Sequence, residues 1–412
     1  MSFSEWREVV LKDVIEFNPK ESIKKGTVTK KIGMDKLAPF QRKIDGFELA
    51  EFSGGSKFRN GDTLLARITP CLENGKTAQV MILDDDEIAF GSTEYIVMRN
   101  KTGITDNNYI FYLSLSQYVR DTAIKSMTGT SGRQRAQTDV IKNTKIMLPP
   151  LQEQKAIAHI LSTLDDKIEV NNQINKTLEN MAQAIFKQWF VDFEFPNENG
   201  EPYKSSGGEM VESELGTIPK GWEVVQFRDI FRFVKGKKPK TIAECEFKDS
   251  EKYLTIDVLN RNSVLFCSKE KVIEANSEDV LMVMDGASSG AVYFGQKGVV
   301  ASTLAKLELI SQKVSNQFLF YAIKYFENDI KTHTTGSAIP HTDKEYTYRL
   351  MIALPNDISL QTKIDDLLCD ISDTFIAREQ ENAVLKATRD TLLPKLMSGE
   401  IRVPLDQDGY AS

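Results

Sequence analysis

Histidine, tryptophan and cysteine are scarce in this chain of 412 residues, which has three, three and four of them. None of the histidines, His159, His333 and His341, has metal-ligand spacing with another, which argues against a zinc centre built on them. The cysteines, Cys71, Cys245, Cys267 and Cys369, show neither metal-ligand nor redox spacing. That argues against a disulfide framework and for a reducing cytoplasm. No apolar run is long enough to cross a bilayer, so no membrane association is expected. Glu5, Arg7 and Glu8 lie within the first residues, where a signal peptide would be apolar.

Nucleotide-binding and catalytic patterns are lacking too. Gly286-Ala287-Ser288-Ser289-Gly290 is not followed by the Lys-Ser/Thr that grips phosphate and magnesium. Phe294-Gly295-Gln296-Lys297-Gly298 opens no βα unit and reads as a turn. No Asn/Asp-Pro-Pro-aromatic tetrapeptide is present; Leu148-Pro149-Pro150-Leu151 lacks both the amide and the aromatic. The chain reads as a reader or scaffold rather than a catalyst. An excess of positive charge is also absent, since 52 Lys+Arg face 59 Asp+Glu for a net charge of −7. The imbalance is uneven. Residues 1–150 hold 22 basic against 19 acidic residues, so the remainder, at 30 against 40, carries the acidity. Local basic patches therefore matter more than the total.

What the chain does have is a duplication. Gln154 and Gln361 lie 207 residues apart (361 − 154), and Ile157/Ile364 and Asp166/Asp373 keep that offset. Trp6-Arg7-Glu8-Val9-Val10 is echoed by Trp222-Glu223-Val224-Val225. A repeat of this length is a duplicated unit of one globular domain plus one long helix, not a solenoid. After Pro150, Ile157, Leu164, Asn171, Leu178 and Ile185 recur every seven residues, as do Leu161, Ile168, Asn175 and Ala182 on the neighbouring seam. This is a coiled-coil heptad. Asn171 and Asn175 either fix register and partner or mark a place where the helices splay. A matching helix carries Ile364, Leu368, Ile371, Phe375, Asn382, Leu385 and Leu392, with Arg378, Asn382 and Arg389 making an imperfect or wet contact, and Pro394 expected to kink or end it.

The expected class is α+β, with two mixed α/β domains joined by two long antiparallel coiled-coil helices and a pseudo-two-fold internal repeat. The expected segments are a first domain at 1–150, a central helix at 151–193, a linker at 194–220, a second domain at 221–354, a C-terminal helix at 355–401 and a tail at 402–412. Strands are expected at Thr63–Ile68, Glu94–Met98, Val280–Met284 and Val299–Ala301, and helices from Asn108 to Ser126 and from Ser315 to Lys331.

The loops carry the candidate binding chemistry. Thr128–Asp139 packs Arg133, Gln134, Arg135 and Gln137 among small residues, including Thr130 and Ser131. Arginine suits guanine O6/N7, glutamine suits adenine N6/N7, and hydroxyls and amides suit phosphates. The counterpart in the second half spans Thr335–Thr342 and supplies Ser337, His341 and Thr342; its different residues would read different bases. Lys235, Lys237, Lys238 and Lys240 form a compact cationic turn for phosphates, with Lys57, Arg59, Arg67 and Lys76 in the same role in the first half. Ser288 and Ser289 complete the set of candidate DNA contacts. For each single residue the plain alternative is a solvated surface group.

Three motifs carry a resemblance over essentially the whole length. They are Leu148-Pro149-Pro150-Leu151-Gln152-Glu153-Gln154, Ser213-Glu214-Leu215-Gly216-Thr217-Ile218-Pro219-Lys220-Gly221-Trp222, and Leu392-Leu393-Pro394-Lys395-Leu396-Met397-Ser398-Gly399-Glu400-Ile401. With the duplication, they make the chain resemble the specificity subunits of type I restriction-modification systems. The resemblance implies two target-recognition domains, each reading half of a bipartite double-stranded DNA site. It also implies helices that set the spacer and dock two modification (methyltransferase) subunits, which restriction subunits join. Adenine flipping, S-adenosylmethionine, ATP and magnesium would belong to those partners, leaving this chain without cofactor or catalysis. A protein-binding coiled-coil scaffold and a single-chain methyltransferase or nuclease are the rival classes.

Overall fold

The structure is a computed structural model that describes residues 5–130, 132–260, 263–336 and 339–404. The chain divides into two compact units. One is Met1–Asn171 with Glu381–Ser412, and the other is Asn172–Gln380. Each therefore takes one globular domain and a stretch of each long helix.

The duplication holds strand for strand in the main antiparallel sheet. In the first unit a four-stranded antiparallel sheet is ordered Ile15–Phe17, Tyr95–Asn100, Thr63–Ala66, Thr77–Gln79. In the second the order is Phe231–Lys235, Leu304–Leu309, Val280–Val283, Val292–Tyr293. The strands Thr63–Ala66 and Val280–Val283 lie inside their sheets and are buried at every position, so their short continuous hydrophobic runs do not alternate. A second sheet in each unit contains one parallel pairing, Val28–Ile32 with Ala89–Gly91 and Ser250–Leu254 with Gly298–Val300. The echoed Trp motifs have the same job. Arg7–Val10 pairs with Lys145–Leu148 and Trp222–Gln226 with Met351–Pro355, so each domain's first strand clamps the strand that leads into its long helix.

The central helix is Leu151–Phe190 and the C-terminal helix Ile358–Ser398. Pro149 and Pro150 precede the first, where missing amides cost nothing. Phe193, at φ 61°, turns the chain away just beyond its end. Gly399 at φ 76° closes the second in the left-handed conformation that helix ends favour. In the first unit Ile157, Leu161 and Ile168 are buried on the heptad seam, and Ile157 and Leu161 share a core with Leu396. Each such aliphatic residue contributes about 1.5–3 kcal/mol.

At Asn171 the seam is a closed polar layer rather than a splay. Its Nδ2 donates to Asn382 Oδ1 at 3.0 Å and to Glu381 Oε2 at 2.8 Å. Six residues toward the N-terminus, Asp165 meets Arg389, seven residues beyond Asn382, so the two helices run antiparallel in this unit. The expected wet contact at Arg389 is instead a buried ion pair. Its guanidinium sits 2.7 Å from Asp165, whose other oxygen accepts the Tyr112 hydroxyl at 2.7 Å.

Two sequence expectations need correction, and a third is narrowed. Residues 194–220 are more than a linker. Met210–Ser213 and Gly216–Pro219 form a hairpin, and Phe193 and Phe195 pack on Trp222 in the core of the second unit. A turn-rich composition did not reveal that these aromatic rings anchor the segment. The stretch 108–126 is two helices, Asn107–Leu115 and Gln117–Lys125, broken at Ser116 with ψ 141°. Pro394 lies within its helix and does not end it. It falls in the last turns, where one lost hydrogen bond is offset by Leu392, Leu393, Leu396 and Met397 packing on the core.

Candidate nucleic-acid interface

The arginine- and glutamine-rich loop closes onto the end of strand Thr63–Ala66. Arg135 forms β-bridges with both Ile68 and Thr128. The Thr69 amide donates to Gln134 O at 3.0 Å, and the Ala136 amide to Arg67 O at 2.8 Å. The second unit repeats this at the end of Val280–Val283. His341 bridges Asp285 and pairs with Thr335. The Gly286 amide donates to Pro340 O at 2.9 Å and the Thr342 amide to Met284 O at 2.8 Å. Arg135 and His341 therefore occupy the same place in the repeated fold. Glycine turns both loops, Gly129 at φ 130° and Gly336 at φ 92°. A Cβ on Gly336 would lie 2.5 Å from Ile339 O, so a side chain there would break the turn.

Both tip residues are held by a carboxylate. Arg135 Nε lies 2.8 and 3.0 Å from the two oxygens of Glu94, and a terminal guanidinium nitrogen lies 2.7 Å from one of them. The hydrogen bond and charge of Glu94 raise the Arg135 pKa above its ordinary value. His341 Nδ1 lies 2.8 Å from Asp285 Oδ1, and Lys235 Nζ lies 3.2 Å from Oδ2. Partial burial pushes the Asp285 carboxyl up, but His341 and Lys235 outweigh it and hold it below the usual carboxylate range. An ionised carboxylate only accepts, so Nδ1 of His341 carries a proton and Nε2 is the nitrogen left to face a ligand.

Around these tips the other candidates divide. Arg133, Lys237 and Lys238 are exposed. Lys235 is shared with Asp285, and Lys240 is paired with Glu270. The cationic turn is pinned at Gly236, where a Cβ would lie 2.2 Å from Ala301 O. Gln137 braces its own loop by donating to Thr128 Oγ1 at 2.6 Å, and the Thr130 carbonyl accepts the Arg133 amide at 3.0 Å. Gln134 and Ser288 are half-buried, with their carbonyls engaged in the tips.

Ser289 is buried and donates to Gly286 O and Pro340 O, and Thr342 is buried and donates to Val283 O at 2.6 Å. Both side chains hold the tip together from inside. Arg67 is half-buried, and its Nε, among the described residues, lacks a hydrogen-bond partner. Lys76 donates to Met34 O at 2.9 Å. Lys57 and Arg59 belong to a different cluster. Lys57 donates to Glu21 O, Arg59 grips the Glu21 carboxylate, and Arg99 bridges Glu21 and Asp62. Ser131 and Ser337 lie outside the described residues.

Glu94 and Asp285 were not identified from sequence. An isolated acidic residue gives no local sign that it will meet a base many residues away. Among the described residues no group of three or more His, Cys, Asp or Glu is placed to hold a metal ion. All four cysteines are free, and no described helix is long and apolar enough to cross a membrane.

Comparison with known proteins adds a family. Residues 3–180 and 219–387 match the profile described as the type I restriction modification DNA specificity domain. The chain is similar to the MjaVIII specificity subunit of a type I restriction enzyme from Methanocaldococcus jannaschii, with 30% identity over 185 residues. That match covers 44% of this chain and only 43% of the relative, less than half its length. The MjaIX specificity subunit of the same organism is 27% identical over 320 residues, 74% of this chain and 71% of the relative. In fold, the chain is similar to the crystal structure of a type I restriction-modification system S subunit from M. genitalium. The TM-score is 0.57 at 16% identity, covering 96% of each chain.

Proposed function

Because the chain belongs to the type I restriction modification DNA specificity family, we propose that it is the subunit that reads a two-part DNA target for a modification and restriction complex. The observation that carries this reading is the repeated loop tip. One scaffold is built twice, with Arg135 at its tip in one copy and His341 in the other. A duplicated scaffold with different polar tips suits a target of two different half-sites.

Under this reading the tips reach base edges in the major groove, while Arg133, Lys237 and Lys238 meet backbone phosphates. The long helices dock two modification subunits and set the spacer between half-sites, and restriction subunits join that core. The chain itself does no chemistry and holds no cofactor. Methyl transfer from S-adenosylmethionine and ATP- and magnesium-dependent cleavage belong to the partners, in the cytoplasm. Two linked readers gain affinity because the second half-site is engaged at high effective concentration. Each wrong base pair costs about 1–3 kcal/mol, so discrimination multiplies across the two halves.

The test is to combine the chain with its cognate modification subunit and DNA and to map methylated adenines at single-molecule level. Two short motifs at one fixed separation are expected. Complex formation without methylation of any two-part motif would move the weight to a protein-binding scaffold.

A further inference from the structure

We infer that Arg135 and His341 are the paired specificity determinants of the two half-sites. Arg135 reads a guanine, and His341 reads a base that presents an exocyclic amine, adenine or cytosine. The inference rests on the reading of the chain as a two-part DNA reader and assigns the chemistry of one position in each half.

Equivalence comes first. The two residues share their β-bridges, their flanking backbone hydrogen bonds and the glycine turn that precedes them. Both side chains are close to half exposed, at 44% and 49%, whereas Ser289 and Thr342 on the same tip are buried.

Orientation comes second. Glu94 takes the Nε edge of the Arg135 guanidinium and one N–H of a terminal nitrogen. The other terminal nitrogen lies 3.5 Å from Arg133 O, at the limit of a hydrogen bond, so the end formed by the two terminal nitrogens still offers a pair of parallel donors, the fork that matches guanine O6 and N7. For His341, the ionised Asp285 fixes the proton on Nδ1. In its neutral form the ring offers Nε2 as an acceptor, which suits adenine N6 or cytosine N4 and faces a repulsive carbonyl at guanine or thymine. The two carboxylates come from different places. Asp285 follows the inner strand and corresponds to Ile68, whereas Glu94 precedes the next strand and corresponds to Thr303, as the Arg67–Glu94 and Met284–Thr303 backbone bonds show. A carboxylate brace has thus been built twice from unrelated positions, which a side chain merely solvated at the surface does not need. Glu94 and Asp285 are positioning residues.

The experiment maps methylation motifs for the full chain with its modification subunit, in wild type and in Arg135→Ala, Arg135→Gln, His341→Ala and Glu94→Gln. The wild-type motif tests the two-part reading independently of any variant. If there is no two-part motif, that reading fails and takes this inference with it. Given a two-part motif, Arg135→Ala should relax one guanine in one half-site and leave the other half unchanged. Discrimination at that position should fall by about 5- to 150-fold. Arg135→Gln should shift the same position toward adenine, whose N6/N7 edge suits a carboxamide. His341→Ala should relax one adenine or cytosine in the opposite half-site. Glu94→Gln should weaken the same guanine that Arg135 reads, with the rest of the motif kept, an effect that a purely structural role would not confine to one base. Should a variant lose all methylation, competition binding of its assembled complex to duplexes carrying each of the four bases at that position supplies the same readout. An unchanged motif in both alanine variants, or relaxation spread over both halves, overturns the assignment.

Discussion

Replacing Arg389 by alanine should destabilise the first unit by about 3–4 kcal/mol. Arg389 and Asp165 have side chains only 8% and 9% exposed, and their 2.7 Å contact is the main compensation for the buried carboxylate. Removing one member of a buried pair costs about 3–5 kcal/mol, because the partner charge is stranded. Asp165 keeps the Tyr112 hydroxyl at 2.7 Å, which places the loss near the lower end. The Phe40 carbonyl also loses its 3.2 Å donor, adding about 1 kcal/mol. The repeat supplies a control that removes both charges. With the 207-residue offset, Asp165 corresponds to Ser372 and Ala182 to Arg389, and in the second unit Ser372 and Ala182 are both buried without a charge at either position. Asp165→Ser with Arg389→Ala therefore transplants a solution the chain already uses, and the pair should cost only about 1 kcal/mol. Guanidinium denaturation followed by tryptophan fluorescence, with the slope checked for constancy, gives the four corners of the cycle. A loss below about 1 kcal/mol for Arg389→Ala, or a double variant as unstable as the sum of its singles, would refute the argument.

Other outcomes follow from the same geometry. Gln154 is fully buried and bonds Ile104 O, Pro149 O and the Asp106 amide, whereas Nε2 of its counterpart Gln361 is buried without a partner among the described residues. Gln154→Ala should therefore cost about 2–3 kcal/mol and Gln361→Ala under about 1, measured by the same denaturation. Burial pushes the Glu21 carboxyl up, but Arg59 and Arg99 outweigh it and hold its pKa below the ordinary value. The unfolded chain then binds the extra proton, so this group's stabilisation is complete above its unfolded pKa and fades as pH falls through the folded one. Glu21→Gln should flatten the acid limb of a plot of denaturation midpoint against pH; an unchanged limb would remove Glu21 from that account. Inserting one heptad into each long helix adds about 10 Å of rise, or roughly 3 bp of B-DNA. The spacer of the methylated motif should lengthen accordingly in a spacer-library assay, and an unchanged spacer would count against helices as the ruler.

Much of the architecture is readable in the chain because it is periodic or repeated. The heptads at Ile157 and Leu161 place their seam from local spacing alone, and the 207-residue offset announces two units before any strand is assigned. Patterns that depend on neighbours read less well. The aromatic anchors Phe193 and Phe195 sit in a turn-rich segment whose composition says linker, and only their contact with Trp222 reveals a folded hairpin region. Ser116 breaks a helical pattern because its own ψ is extended, which periodicity does not encode.

At the loop tips, residue types alone were enough to nominate Arg135 and His341, since arginine and histidine among small polar residues have recognisable hydrogen-bonding chemistry. Their alignment as equivalents, and the demotion of Ser289 and Thr342 to internal braces, required backbone hydrogen bonds between distant segments. The carboxylates that orient them lie 41 and 56 residues away in sequence. Periodicity, duplication and the scarcity of histidine and cysteine are properties of the chain and could be read directly from it. Which charge meets which partner, and so which edge of a guanidinium or imidazole is left exposed, is a property of packing, because hydrogen bonds link atoms by distance in space and not by position along the chain.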